Sequence, residues 1–166
     1  GKGAFEGWVH LPIVVPEVCL GVALMAFFAA IRLPLGLTTV TLSHIAFSIP
    51  FVAVVIRARM ASFDPALEEA AHDLGASRWQ SFRDVTLPHL MVGIVASALL
   101  VATLSLDDFV ITFFTSGPGA TTLPLKIYSM ARFSVTPEIN AASTVLIALT
   151  VMLVLGAVAV QTRWRR

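Results

Sequence analysis

Long apolar runs separated by short polar stretches form the main pattern of the chain. Four runs are long enough to cross a hydrocarbon layer of about 30 Å as α-helices, which rise about 1.5 Å per residue. The expected spans cover residues 11–31, 37–56, 88–114 and 137–160. The pattern therefore predicts an all-α, polytopic membrane helical bundle with about four transmembrane helices.

The longest polar interruption, residues 57–87, separates the second span from the third. Its first half predicts a short helix, because Asp64 can cap it and Pro65 suits its opening position. Gly75 is a typical residue just after a helix end. Small or apolar residues at helical spacing give this helix one small-sided face: Ala66, Leu67, Ala70, Ala71 and Leu74.

The second half of the same stretch predicts another short helix. Ser77 and Gln80 have the spacing of a capping box, and the helix is expected to continue to Arg83. Pro88 then suits the first turn of the third span. We therefore predict a structured connection between the two spans, made of two rigid helices.

Composition supports the assignment to a membrane protein. Apolar residues make up 57% of the 166 residues and charged residues 13%, which is too little polar surface for an ordinary soluble domain. The net charge of +1 gives no indication of nucleic-acid binding. The single cysteine, Cys19, has no disulfide partner, and its apolar surroundings in the sequence predict a buried position.

Lys and Arg residues divide unequally between the two faces of the expected bundle. Eight lie on the face that carries residues 57–87 and both chain ends, whereas Arg32, Lys126 and Arg132 lie on the other. The positive-inside rule makes the first face cytoplasmic. We therefore expect a multi-pass protein in contact with membrane lipid, with a cytoplasmic C terminus.

Two aspartates, Asp107 and Asp108, follow the uncharged part of the third span and are expected near its outer end. Successive side chains on a helix point about 100° apart, so at most one of them faces the bundle interior. One interpretation is that the two aspartates have a structural role, either as solvated groups at the helix end or as partners of Arg132 or Lys126. His44, in the second span, is expected to bond to a neighbouring helix, and a role in a transport path is the alternative.

The motifs of several catalytic and metal sites are absent from the sequence. It contains no phosphate-binding G-x-x-x-x-G-K-[ST], no pair of His or Cys at metal-ligand spacing and no nucleophile elbow. We therefore predict no catalytic residue, no metal site and no cofactor bound by this chain.

One part of residues 57–87 resembles the cytoplasmic loop of permease subunits of ABC importers. That loop carries Glu-Ala-Ala, a Gly after three more residues, and an aliphatic residue followed by any residue and Leu-Pro. The matching positions are Glu69, Ala70, Ala71, Gly75, Val85, Leu87 and Pro88, with Val85 where the family more often has Ile. Residues 55–151 are also similar to the second permease subunits of spermidine/putrescine importers.

This resemblance implies a division of labour between several proteins. Residues 1–166 would be a single permease domain, and a fragment, since such permeases usually have six spans. The helix before Gly75 would be a coupling helix that docks on a dimer of ATP-binding subunits, where ATP and Mg²⁺ bind. A second permease subunit and a periplasmic substrate-binding protein would complete the importer in the bacterial inner membrane.

A polyamine cargo would need carboxylates and aromatic faces, which attract organic cations. The candidate path residues at the outer end of the third span are Asp107, Asp108, Phe109 and Phe113. Two alternatives stay open at this point. The first is a permease for another small solute, such as ferric iron or an organic amine, and the second is a membrane scaffold that recruits a soluble partner without transport.

Overall fold

The structure is a computed structural model that describes residues 15–133 and 136–163, and within these ranges it consists of helices and short connections. In chain order the helices are α1 (Glu17–Ala30), α2 (Leu37–Met60), α3 (Ala66–Asp73), α4 (Arg78–Ser81), α5 (Leu87–Asp107), α6 (Val110–Thr115), α7 (Leu123–Ala131) and α8 (Pro137–Arg163). A π-helical segment, Phe82–Thr86, joins α4 to α5. The predicted all-α class is confirmed.

Three helices in the described part of the chain are long and apolar enough to cross a membrane. They are Leu37–Met60, Arg78–Asp107 and Pro137–Ala159. The fourth expected span, residues 11–31, begins outside the described residues, and its described helix, α1, has only 14 residues. Spanning a bilayer takes about 20 residues, so α1 alone is too short.

The third expected span, residues 88–114, differs from the observed helix at both ends. On the outer side, α5 stops at Asp107 and α6 starts only at Val110. On the other side, α5 begins at Leu87 with Pro88 in its first turn, and it continues a helical stretch that begins at Arg78. The predicted first-turn position of Pro88 is confirmed, whereas the start of the helical stretch lies ten residues earlier than expected.

The π-helical segment explains how the helix continues through Pro88. Proline has no N–H, and its ring clashes with the carbonyl group four residues earlier, here that of Asp84. A wider turn relieves this clash, and the N–H of Leu87 bonds to the carbonyl of Phe82, five residues back.

Helix α5 lies at the centre of the fold and packs against α2 and α8, whereas α6 packs against α1 and α2. Small buried residues on α5 allow this close approach: Gly93, Ala96 and Ser97. Helices α2 and α5 are antiparallel, since His44 contacts Ser105 near one end and Arg59 Nε donates to the His89 carbonyl at 3.1 Å near the other.

Many large apolar side chains remain on the surface. Val145 and Met152 of α8 are 63% and 62% exposed. Cys19 is also exposed, so its predicted burial is wrong. Apolar surface on this scale is typical of helices that face lipid or another subunit.

The outer connection between α1 and α2 packs on the segment after α6. Thr39 is fully buried at the start of α2 and donates its hydroxyl to the Thr115 carbonyl at 2.7 Å. Beside it, a Cβ added at Gly117 would lie 1.9 Å from the carbonyl oxygen of Leu35. Only glycine permits this backbone approach.

We expect Gly117→Ala to destabilise the protein by about 1–3 kcal/mol, because the two backbone segments must move apart. Thermal unfolding of the detergent-solubilised full-length protein measures this effect. Gly36→Ala is the matched control, since a Cβ there meets no atom within 4 Å. Equal melting temperatures for the two variants would contradict the assigned contact.

Candidate coupling surface and outer polar cluster

The ends of α3 form as the sequence predicts. The N–H of Ala66 donates to Asp64 Oδ1 at 3.0 Å. At the other end Gly75 has a positive φ of 88°, and the N–H of Ala76 donates to the Ala71 carbonyl at 3.0 Å. This is a glycine-terminated helix end, which fixes the direction of the chain after α3.

The predicted capping box at the start of α4 is confirmed. The N–H of Gln80 donates to Ser77 Oγ at 3.3 Å, and the N–H of Ser77 donates to Gln80 Oε1 at 2.8 Å. The helix does not end at Arg83, however, since it continues through the π-helical segment into α5. The connection is therefore one short helix followed by the extension of a long one.

The apolar face of α3 points mainly away from the protein. Leu67 is 50% exposed and Leu74 is 89% exposed. Glu68, by contrast, is half-buried and accepts a hydrogen bond from the hydroxyl of Thr86. We call the exposed face the coupling surface; it consists of Leu67, Glu69, Ala70, Leu74 and Gly75.

The residues of the Glu-Ala-Ala and Leu-Pro motifs occupy different places. Glu69 and Ala70 lie on the coupling surface, whereas Ala71 is half-buried. Leu87 and Pro88 lie in the first turn of α5, next to Thr86. The matched positions therefore fall into two groups: Glu69 and Ala70 are exposed on α3, and Leu87 and Pro88 belong to the membrane helix α5.

Asp108 occupies the break between α5 and α6, with its side chain only 6% exposed. Its carboxylate accepts hydrogen bonds from the N–H groups of Ile111 at 3.3 Å and Thr112 at 2.8 Å, and from the Thr112 hydroxyl at 2.7 Å. It therefore caps α6. The neighbouring Asp107 is exposed and forms no hydrogen bond or ion pair within the described ranges.

His44 joins this break to α2. Its Nε2 lies 3.2 Å from Asp108 Oδ2 and 2.9 Å from Thr112 Oγ1, and its Nδ1 lies 2.6 Å from Ser105 Oγ. Since the Thr112 hydroxyl donates to Asp108, its oxygen is free to accept from Nε2–H. Nδ1 shares a hydrogen bond with the Ser105 hydroxyl.

We call this group of side chains the outer polar cluster; it consists of His44, Ser105, Asp108 and Thr112. The expected bond between His44 and a neighbouring helix is confirmed. The partner of Asp108 is His44, not Arg132 or Lys126. Sequence reasoning missed this pair because the two residues are 64 positions apart; the available signal was that both lie in the outer halves of adjacent helices.

Aromatic side chains surround the outer end of the helices. The Phe109 ring centroid lies 4.6 Å from that of Tyr128 and 5.6 Å from that of Phe113. The guanidinium carbon of Arg132 lies 5.9 Å from the Tyr128 ring centroid. Tyr128 lies on α7 and was not among the predicted path residues. We call Phe109, Phe113 and Tyr128 the aromatic rim.

A cavity of about 910 Å³ lies between α2, α5, α7 and α8. Its walls are mainly aliphatic, and His44, Ser48 and Ser105 contribute polar atoms. The four predicted path residues, Asp107, Asp108, Phe109 and Phe113, do not line this cavity. His44 and Ser105 therefore connect the outer polar cluster to the interior of the bundle.

The described helices define a polytopic membrane protein. Its short helix α3 and its apolar spans leave apolar surface exposed. Residues 2–164 match the family described as "Binding-protein-dependent transport system inner membrane component". The chain belongs to this family of multi-pass inner membrane proteins.

Curated relatives of this chain are polyamine permeases by name. The "Putrescine transport system permease protein PotI" of Escherichia coli K12 is 42% identical over 166 residues, which cover 96% of this chain and 56% of that protein. The "Spermidine/putrescine transport system permease protein PotC" is 38% identical in Escherichia coli K12, over 95% of this chain and 60% of that protein. Its Haemophilus influenzae counterpart is 39% identical, over 93% and 60%.

These comparisons confirm the resemblance to polyamine permeases. The chain spans a little over half the length of the curated relatives it matches. The activity, substrates and partners of the whole protein are therefore matters for proposal.

We expect Asp108→Ala to destabilise the protein by about 1–3 kcal/mol, because it leaves two backbone N–H groups and the Thr112 hydroxyl without their acceptor. Thermal unfolding of the full-length protein in detergent measures the change. Asp107→Ala is the matched control, and at this exposed position the change should stay within about 0.5 kcal/mol. A larger loss at Asp107 than at Asp108 would contradict the assigned capping role.

Proposed function

We propose that this chain is part of a permease subunit of an ATP-binding-cassette importer that moves polyamines across the bacterial inner membrane. One observation carries the proposal. In a chain of the binding-protein-dependent transport family, residues 57–87 form a short helix packed on the extension of a long one, and the short helix holds an apolar surface away from the bundle. An exposed leucine such as Leu74 is unfavourable in water and favours a docked state.

The coupling surface fits a cleft on a separate ATP-binding subunit. Leu67 and Leu74 supply apolar area, and Ala70 and Gly75 leave room for close approach. Glu69 is exposed and available to pair with a cation of the partner. ATP and Mg²⁺ belong to the dimer of ATP-binding subunits in this proposal, and this face and the C terminus lie in the cytoplasm.

The outer end receives substrate in the same proposal. Asp107 offers a carboxylate that forms no hydrogen bond or ion pair with another described residue. The ring faces of the aromatic rim can bind ammonium groups. Asp108 serves the path by holding α6 in place. A second permease subunit supplies the other wall of the path, and a periplasmic substrate-binding protein delivers the polyamine to the rim.

We expect Gly75→Trp to leave membrane insertion intact and to abolish stimulation of the partner ATPase by loaded binding protein. The indole occupies the space that a docked subunit needs, since a Cβ at Gly75 meets no atom of this chain within 4 Å. ATP hydrolysis by the reconstituted importer, with and without loaded binding protein, measures the effect.

Gly75→Ala is the control for backbone strain, because any side chain is strained at this positive φ but alanine adds little bulk. It should retain most of the stimulation. Normal stimulation in the tryptophan variant would show that α3 does not dock on the ATPase.

We expect Asp107→Asn to raise the KM for putrescine and spermidine uptake without changing the melting temperature, since this carboxylate has no structural partner in the described residues. Basal ATP hydrolysis should persist. Asp108→Asn, in contrast, should weaken uptake and lower the melting temperature together. Unchanged uptake kinetics in both variants would remove the aspartates from the substrate path.

A further inference from the structure

The contacts of α3 limit the ways in which its movement can reach the membrane helices. It packs chiefly against α4 and the π-helical segment Phe82–Thr86. Both belong to the same continuous helix as α5, and α5 packs against α2 and α8. Besides the chain connection to α2, the contact with the π-helical segment is the route by which a displacement of α3 reaches the spanning helices.

One side-chain hydrogen bond fastens α3 to that segment. The hydroxyl of Thr86 donates to Glu68 Oε1, with Thr86 only 5% exposed and Glu68 half-buried. Within the described ranges it is the only side-chain hydrogen bond between α3 and the helix that enters the membrane. A hydrogen bond to a charged acceptor is stronger than a neutral one, so this contact resists separation of the two helices.

The segment that receives this bond is irregular. A π-helical turn is wider than an α-helical turn and is found where a helix bends or changes register. Pro88 follows two residues after this segment, and because it has no N–H it cannot form the regular α-helical bond to the Asp84 carbonyl. Thr86 thus attaches the coupling helix at a point where the long helix is locally weakened.

We propose that Glu68 and Thr86 form a positioning link that transmits movement of α3 to α5, with the π-helical segment as the joint. Glu68 does not belong to the Glu-Ala-Ala motif, and its half-buried carboxylate points toward the membrane helix while Glu69 stays exposed. The inference rests on the proposed function, since it requires a partner that moves α3.

The test is the number of polyamine molecules transported per ATP hydrolysed by the full importer in proteoliposomes. Thr86→Val keeps the shape of the side chain and removes the donor, and Glu68→Ala removes the acceptor. Each should lower the ratio by about tenfold, as expected for loss of a charge-assisted hydrogen bond. ATP hydrolysis and copurification of the ATP-binding subunit should be retained.

Three comparisons separate a link from a merely structural role. Thr86→Ser restores the hydroxyl and should restore the ratio, and the double variant of Glu68 and Thr86 should lose no more than either single variant. Asp73→Ala removes an exposed carboxylate from the same helix and should leave the ratio unchanged.

An unchanged ratio in both single variants, additive losses in the double variant, or loss of the ATP-binding subunit from the complex would overturn the link. Failure of the proposed function is distinguishable, because it would appear in the unmodified importer as an absence of ATP-dependent polyamine uptake.

Discussion

Every backbone N–H and C=O group inside a bilayer needs a partner from the protein, because lipid offers none. The long helix from Arg78 to Asp107 departs from regular bonding close to each end. Near the end that carries Pro88, the carbonyl of Phe82 accepts a hydrogen bond from the N–H of Leu87, five residues later. At the other end, the Asp108 carboxylate accepts hydrogen bonds from the N–H groups of Ile111 and Thr112 in the first turn of α6. The proposed functional groups cluster at these two irregular places.

The two places lie on one helix, and this arrangement has a mechanical consequence. Thirty residues span about 45 Å, which is close to the full thickness of a bilayer with its headgroups. Between its ends, α5 packs through small residues against α2 and α8. In the proposed coupling, α5 moves as one body, and a shift at the π-helical segment is passed to the outer polar cluster along this helix.

Local patterns predicted most of the helices, because capping and apolar periodicity act within a few residues. The ends of α3, the capping box at Ser77 and the helix starting at Pro137 all follow from such patterns. The π-helical turn before Pro88, the exposure of Cys19 and the pairing of His44 with Asp108 did not follow from them. Each of these depends on how helices pack, and packing joins residues that are far apart in the sequence.

Two pairs of adjacent acidic residues, Glu68 with Glu69 and Asp107 with Asp108, combine two roles. One member of each pair bonds to the protein, and the other presents its charge on the surface. Glu68 and Glu69 point in different directions because neighbours on a helix differ by about 100°. Asp108 lies in the break after α5, with a buried side chain next to the exposed Asp107. Glu68 and Asp108 bond to the protein, whereas Glu69 and Asp107 are exposed. The bonded member fixes the position of the exposed one. In the proposed function, the exposed carboxylate meets the partner subunit or the substrate, and its bonded neighbour contacts neither of them. A single acidic residue could not serve both needs, because an engaged carboxylate is no longer free for a ligand.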